Sequence, residues 1–103
     1  MTQRDHETIT SAIWHYGPAT QELKAVEELA ELQQALCKAL AAAKTESMEV
    51  FMDAMDHVFE EMADVEIMLE QIRLIFADAP ERIEQWKARK LERLRRRLEA
   101  PRA

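Results

Sequence analysis

The chain has 103 residues, of which 48% are hydrophobic and 33% charged, and it carries a formal net charge of −6. That length fits a single domain, residues 1–103, and the apolar fraction excludes a disordered chain. One cysteine, Cys37, excludes an internal disulfide and a cysteine-built zinc site. No stretch reads as a signal segment or a membrane span, so the cytoplasm is the expected compartment.

One glycine, three prolines and 6% aromatics leave little material for turns or strands. Strong helix formers dominate, and the expected class is all-α. The first helix is expected from Gln3 to Tyr16, with Thr2 and Asp5 in a capping arrangement. Gly17-Pro18 ends it, and Pro18 suits the first turn of a second helix that runs to about Ala43. Thr45 reads as the N-cap of a third helix, with Glu46 and Glu49 in its first turn and an end near Ala77. Asp78-Ala79-Pro80 reads as a stop and restart, and a fourth helix covers Pro80 to Glu99. The expected architecture is a subunit like a four-helix bundle. Further apolar positions at Leu32, Leu36, Met55, Phe59 and Met62 point to a homo-oligomer that buries a second face.

Charge is unevenly divided. Residues 1–79 hold 5 basic and 16 acidic side chains, a balance of −11, and residues 80–103 hold 9 and 4, a balance of +5. An acidic body joined to a basic helix could pair with itself, or hold a cation beside an anion.

In the third helix, Val50, Ala54, Val58, Val65, Met68, Ile72 and Ile75 form an apolar stripe. Glu61 lies within it and Asp64 borders it, at about −60° from Glu61 on a helical wheel. A buried, unpaired carboxylate is costly and takes up a proton or a cation. The second helix carries Glu27, Glu28 and Glu31, and Glu28 and Glu31 project together. Packed antiparallel, the two helices could aim Glu28, Glu31, Glu61 and Asp64 at one point. Such an all-oxygen site suits Mg²⁺ or Mn²⁺. The competing reading is a solvated acidic face, or ion pairs to the arginines of the fourth helix.

Together the two motifs read Glu27-Glu28-x-x-Glu31 and Glu61-x-x-Asp64, with 29 residues between Glu31 and Glu61. This pattern resembles the MazG-like all-α nucleoside triphosphate pyrophosphohydrolases. Tyr16-Gly17, Gln21 and the run from Ala25 to Leu32 are similar to the entry into that family's first acidic helix. Glu60 to Asp64, followed by Val65, Ile67 and Leu69, is similar to the second, and Lys90-Leu91-Glu92-Arg93 with Arg97 to its basic C-terminal segment. The gap between the motifs is at the long end for the family, and Leu94 stands near where many members carry asparagine.

The resemblance spans about residues 14–98. It implies a Mg²⁺-dependent enzyme that cleaves a nucleoside triphosphate between its α and β phosphates. Mg²⁺ ligation falls on Glu28, Glu31, Glu61 and Asp64. Glu27 is a candidate to orient or deprotonate water, and Lys90, Arg93 and Arg97 are candidates to hold polyphosphate. Trp14, beside His15 and Tyr16, could stack on a base, and Gln21 could hydrogen-bond substrate. The expected partners are a nucleoside triphosphate and further copies of the chain, as homodimer or homotetramer, with no membrane.

Other classes compete. A di-iron carboxylate protein would want paired Glu-x-x-His motifs, and His6, His15 and His57 each lack a glutamate three residues before. A non-catalytic homo-oligomeric module would pair the acidic clusters with the Arg-rich helix. Nucleic-acid binding is disfavoured, because Glu84, Glu92 and Glu99 interleave with the basic residues and the chain is acidic overall.

Overall fold

A computed structural model describes residues 1–101 and contains four helices: α1 (Gln3–Tyr16), α2 (Pro18–Thr45), α3 (Met48–Ile75) and α4 (Ala79–Glu99). No strand occurs among the described residues, so the all-α expectation holds. α1 starts in a capping box. The Asp5 amide donates to the Thr2 hydroxyl at 3.1 Å, and the Thr2 amide donates to the Asp5 carboxylate at 2.9 Å. Gly17, at φ 93°, stops α1 by donating its amide to the Ile13 carbonyl, and Pro18 opens α2 directly behind it.

The junction between α2 and α3 differs from the expectation. Thr45 does not cap α3: its hydroxyl donates back to the Ala41 carbonyl at 3.1 Å, which suits the last turn of α2. Ser47 is the N-cap instead, accepting from the Val50 amide at 3.3 Å. α3 ends at Ile75 rather than Ala77, and α4 begins at Ala79.

α2 and α3 form a long antiparallel hairpin. The centre of its seam is made of Ala35, Ala39 and Val58, with Leu32, Ala54 and Met55 packed against them. Alanines on this line let the two backbones approach closely. Val58, Val65 and Met68 of the expected apolar stripe are buried, whereas Val50 is exposed and Ala54, Ile72 and Ile75 are half-buried. α1 lies across one side of the hairpin, with Ile9 and Ile13 buried. Clefts lined by Ile9 and Ile67, and by Ile13 and Leu74, mark where it meets α3.

α4 is the exception to bundle packing. It touches α3 alone and buries none of its side chains. The radius of gyration is accordingly 17.7 Å, against about 13 Å for a compact chain of this length. No helix of the described residues is long and apolar enough to cross a membrane.

Candidate metal centre

Glu28 of α2 and Glu61 of α3 face each other across the hairpin seam, and each is only 7% exposed. A helix directs residues i and i+3 to one side, so Glu31 follows Glu28 into the same space. One carboxylate oxygen from each of Glu28, Glu31 and Glu61 lies within 4.8 Å of the other two. Glu28 Oε2 and Glu61 Oε2 are buried with no hydrogen-bond partner. Buried acceptors are normally satisfied, and two orphaned carboxylate oxygens beside a third carboxylate form an unbalanced group. The Glu28 carboxylate is the chief reason that the pKa of Glu31 is raised, with lesser help from desolvation and Glu61.

A lysine and a histidine lie at the rim. Lys24 Nζ is 3.3 Å from Glu28 Oε1, and that contact raises the lysine pKa. His57 Nε2 is 3.7 Å from Glu61 Oε1, while its Nδ1 is 3.9 Å from Glu60 Oε2. His57, Glu60 and Glu61 thus make a second group of donors within 4.8 Å of one another. Both lysine and histidine meet the Oε1 side, so neither answers the orphaned Oε2 atoms.

The other candidate residues separate into two sets. Glu27 and Gln21 line a cleft of about 450 Å³ with Tyr16, Thr20, Leu23, Lys24 and Met68. Gln21 is buried and donates its side-chain amide to Gln71 Oε1 at 2.7 Å. Asp64 is half-buried one turn after Glu61 and lies outside the cluster formed by Glu28, Glu31 and Glu61. Trp14 is 80% exposed and borders a different cleft, with Thr10, Pro18 and Leu74. Lys90, Arg93 and Arg97 are exposed on α4, and no described residue of α4 forms an ion pair with α1, α2 or α3.

Sequence reasoning missed Lys24 and Gln71. Lys24 was findable as the i−4 neighbour of Glu28, a spacing that places cation and carboxylate together on a helix. Gln71 carried no such signal, because its partner Gln21 lies 50 residues away.

The donors fit a hard cation. They are all oxygen, they come from two helices, and two of them lack any partner within the protein. The fold and this carboxylate cluster therefore define an all-α protein with a candidate cation site between two helices. Comparison with known proteins returned no matching family model, no matching curated protein and no matching solved structure.

Proposed function

We propose that the protein is a Mg²⁺-dependent nucleoside triphosphate pyrophosphohydrolase of the MazG-like kind, acting in the cytoplasm as a homo-oligomer. The observation that carries this reading is the pair of buried, unpartnered oxygens on Glu28 and Glu61, joined by Glu31. In this reading Glu28, Glu31 and Glu61 hold the cation, Mg²⁺ or Mn²⁺, and Asp64, which lies outside their cluster one turn after Glu61, is the fourth carboxylate that would have to turn toward the bound ion. Bound there, it would neutralise charge on phosphate oxygens and lower the pKa of a water.

The chain's own residues supply the remaining roles. Glu27 orients or deprotonates the water that attacks the α-phosphorus, from the wall of the cleft it shares with Gln21. Gln21, held by Gln71, keeps a fixed amide in that cleft for the substrate. Lys24 balances Glu28 at the cleft mouth. Lys90, Arg93 and Arg97 are the polyphosphate-holding residues of the reading, and the lack of any ion pair from the described residues of α4 to α1, α2 or α3 is what calls for a second copy. Trp14 is a candidate to stack on the base, in the same assembled form.

The alternative is a non-catalytic homo-oligomeric module in which the basic α4 of one copy neutralises the acidic body of another. The projection of α4, with nothing buried, favours it over the other competitors. One experiment decides. The purified protein is incubated with Mg²⁺ and each canonical or modified nucleoside triphosphate, and the products are resolved. Monophosphate and pyrophosphate, lost in Glu61→Gln, are expected. No turnover of any of them, with Mg²⁺ affinity unchanged in that variant, overturns the enzymatic reading.

A further inference from the structure

His57, Glu60 and Glu61 occupy positions i, i+3 and i+4 of α3, the spacing that stacks side chains on one face of a helix. One nitrogen of His57 and one oxygen from each carboxylate lie within 4.8 Å of one another. Nothing in the proposed hydrolysis uses His57 or Glu60. The imidazole Nε2 is 3.7 Å from Glu61 Oε1, and its Nδ1 is 3.9 Å from Glu60 Oε2. Both separations are too long for a hydrogen bond. A protonated histidine bonded to a carboxylate would close on it to about 2.8 Å. The observed gap is nearer the edge of a metal polyhedron, because ligands about 2.0–2.1 Å from a tetrahedral zinc ion stand about 3.4 Å apart.

Glu61 carries an independent sign of a ligand. Its side chain is only 9% exposed, yet Oε2 has no hydrogen-bond partner. A carboxylate has two oxygens and lone pairs enough for two ions. Oε1 is the atom beside His57, which leaves Oε2 for another. The His57 side chain is half exposed, so an ion can reach it from solvent. The two clusters that share Glu61 also differ in chemistry. Glu28, Glu31 and Glu61 offer oxygen alone, which suits a hard ion. His57 adds an imidazole nitrogen, which suits zinc and its neighbours among the transition metals.

We infer that His57, Glu60 and Glu61 form a second metal site, for Zn²⁺ and similar transition-metal ions, with Glu61 common to it and to the oxygen-only cluster. Three protein ligands leave the fourth position of a tetrahedral ion to water. Glu61 presents a separate oxygen to each ion, so Mg²⁺ does not exclude Zn²⁺. The inference shares Glu61 with the pyrophosphohydrolase reading but not its fate. A chain that takes Zn²⁺ at His57 and hydrolyses no nucleotide upholds this site and overturns the enzyme.

The test is calorimetric titration of Zn²⁺ into the metal-stripped full chain in millimolar Mg²⁺. Zn²⁺ should bind, and His57→Gln should weaken it about 100-fold, the upper end of what losing even an outer partner of a metal ligand costs. Glu28→Gln, which alters only the oxygen cluster, should leave Zn²⁺ affinity unchanged. Equal Zn²⁺ affinity in the wild type and His57→Gln overturns the inference, and so does Zn²⁺ that binds only when Mg²⁺ is left out. Should the variant lose its helicity, the wild type carries a second readout. Zn²⁺ should move the imidazole nitrogen resonances of His57 and leave those of His6 and His15 in place. No shift at His57 overturns the site, whatever happens at the other two histidines.

Discussion

Glu28 and Glu61 are half-answered: one oxygen of each meets a lysine or a histidine, and the other has no hydrogen-bond partner. The missing half predicts how the protein responds to Mg²⁺. Millimolar Mg²⁺ should raise the thermal midpoint of the wild type. Glu61→Gln should abolish that rise while stabilising the metal-free protein by about 1 kcal/mol, because one of three crowded charges is gone. Differential scanning fluorimetry with and without Mg²⁺ measures both. Proton competition adds a pH signature. The raised pKa of Glu31 means that it binds a proton at pH values where an isolated glutamate has lost it. Cation affinity should therefore fall as pH drops through a range above that of ordinary glutamates, and Glu31→Gln should shift that fall to lower pH, as titration calorimetry across pH would record. Spacing alone made Glu28, Glu31 and Glu61 legible, since residues three apart share a helix face and an interrupted apolar stripe marks an inward carboxylate. It did not place Asp64 outside the cluster, because a wheel gives direction and not the distance between helices.

Helix boundaries were legible where a local hydrogen bond decides them. Thr2 with Asp5, and Gly17 with Pro18, are complete signals within a few residues, and the structure uses both. The α2–α3 junction was misplaced because Thr45 and Ser47 both carry a hydroxyl, and only the chain path shows which one faces a free amide. The Thr2 cap makes a stability prediction. Hydrogen bonding to Thr2 holds the Asp5 carboxyl below its usual range, so the folded state binds fewer protons than the unfolded one. That contribution is present above the usual aspartate range and is lost as pH falls through the lowered value. Urea denaturation of Asp5→Asn should show a shallower acid loss than the wild type, and Thr2→Ala should cost about 1 kcal/mol at neutral pH. An unchanged acid limb in Asp5→Asn would rule this out.

At the scale of the whole molecule, two uncovered surfaces dominate: the outer face of the hairpin and the whole of α4. Their apolar residues could be counted in the sequence, but core and interface use the same residues at the same helical period. Only the structure divides Ala35, Ala39 and Val58 on the seam from Leu36, Phe59 and Met62 outside it. The exposure of α4 predicts the order of proteolysis. Limited trypsin should cut first among Lys90, Arg93, Arg95, Arg96 and Arg97, leaving a helical body, before Lys24, Lys38 or Lys44. Mass spectrometry of the first fragments checks it, and first cuts inside α2 would contradict the picture of α4 as the loosest element.

The alanines on the α2–α3 seam act as a gauge. Ala35 and Ala39, packed against Val58, fix how near the two backbones lie, and the acidic side chains further along the seam inherit that gap. A narrow gap favours an ion with ligand distances of about 2.0–2.1 Å over one that needs about 2.3–2.6 Å. If the proposed Mg²⁺ site is right, widening the seam one residue at a time, starting at Ala35, should move ionic preference from Mg²⁺ toward Ca²⁺ with every carboxylate still in place.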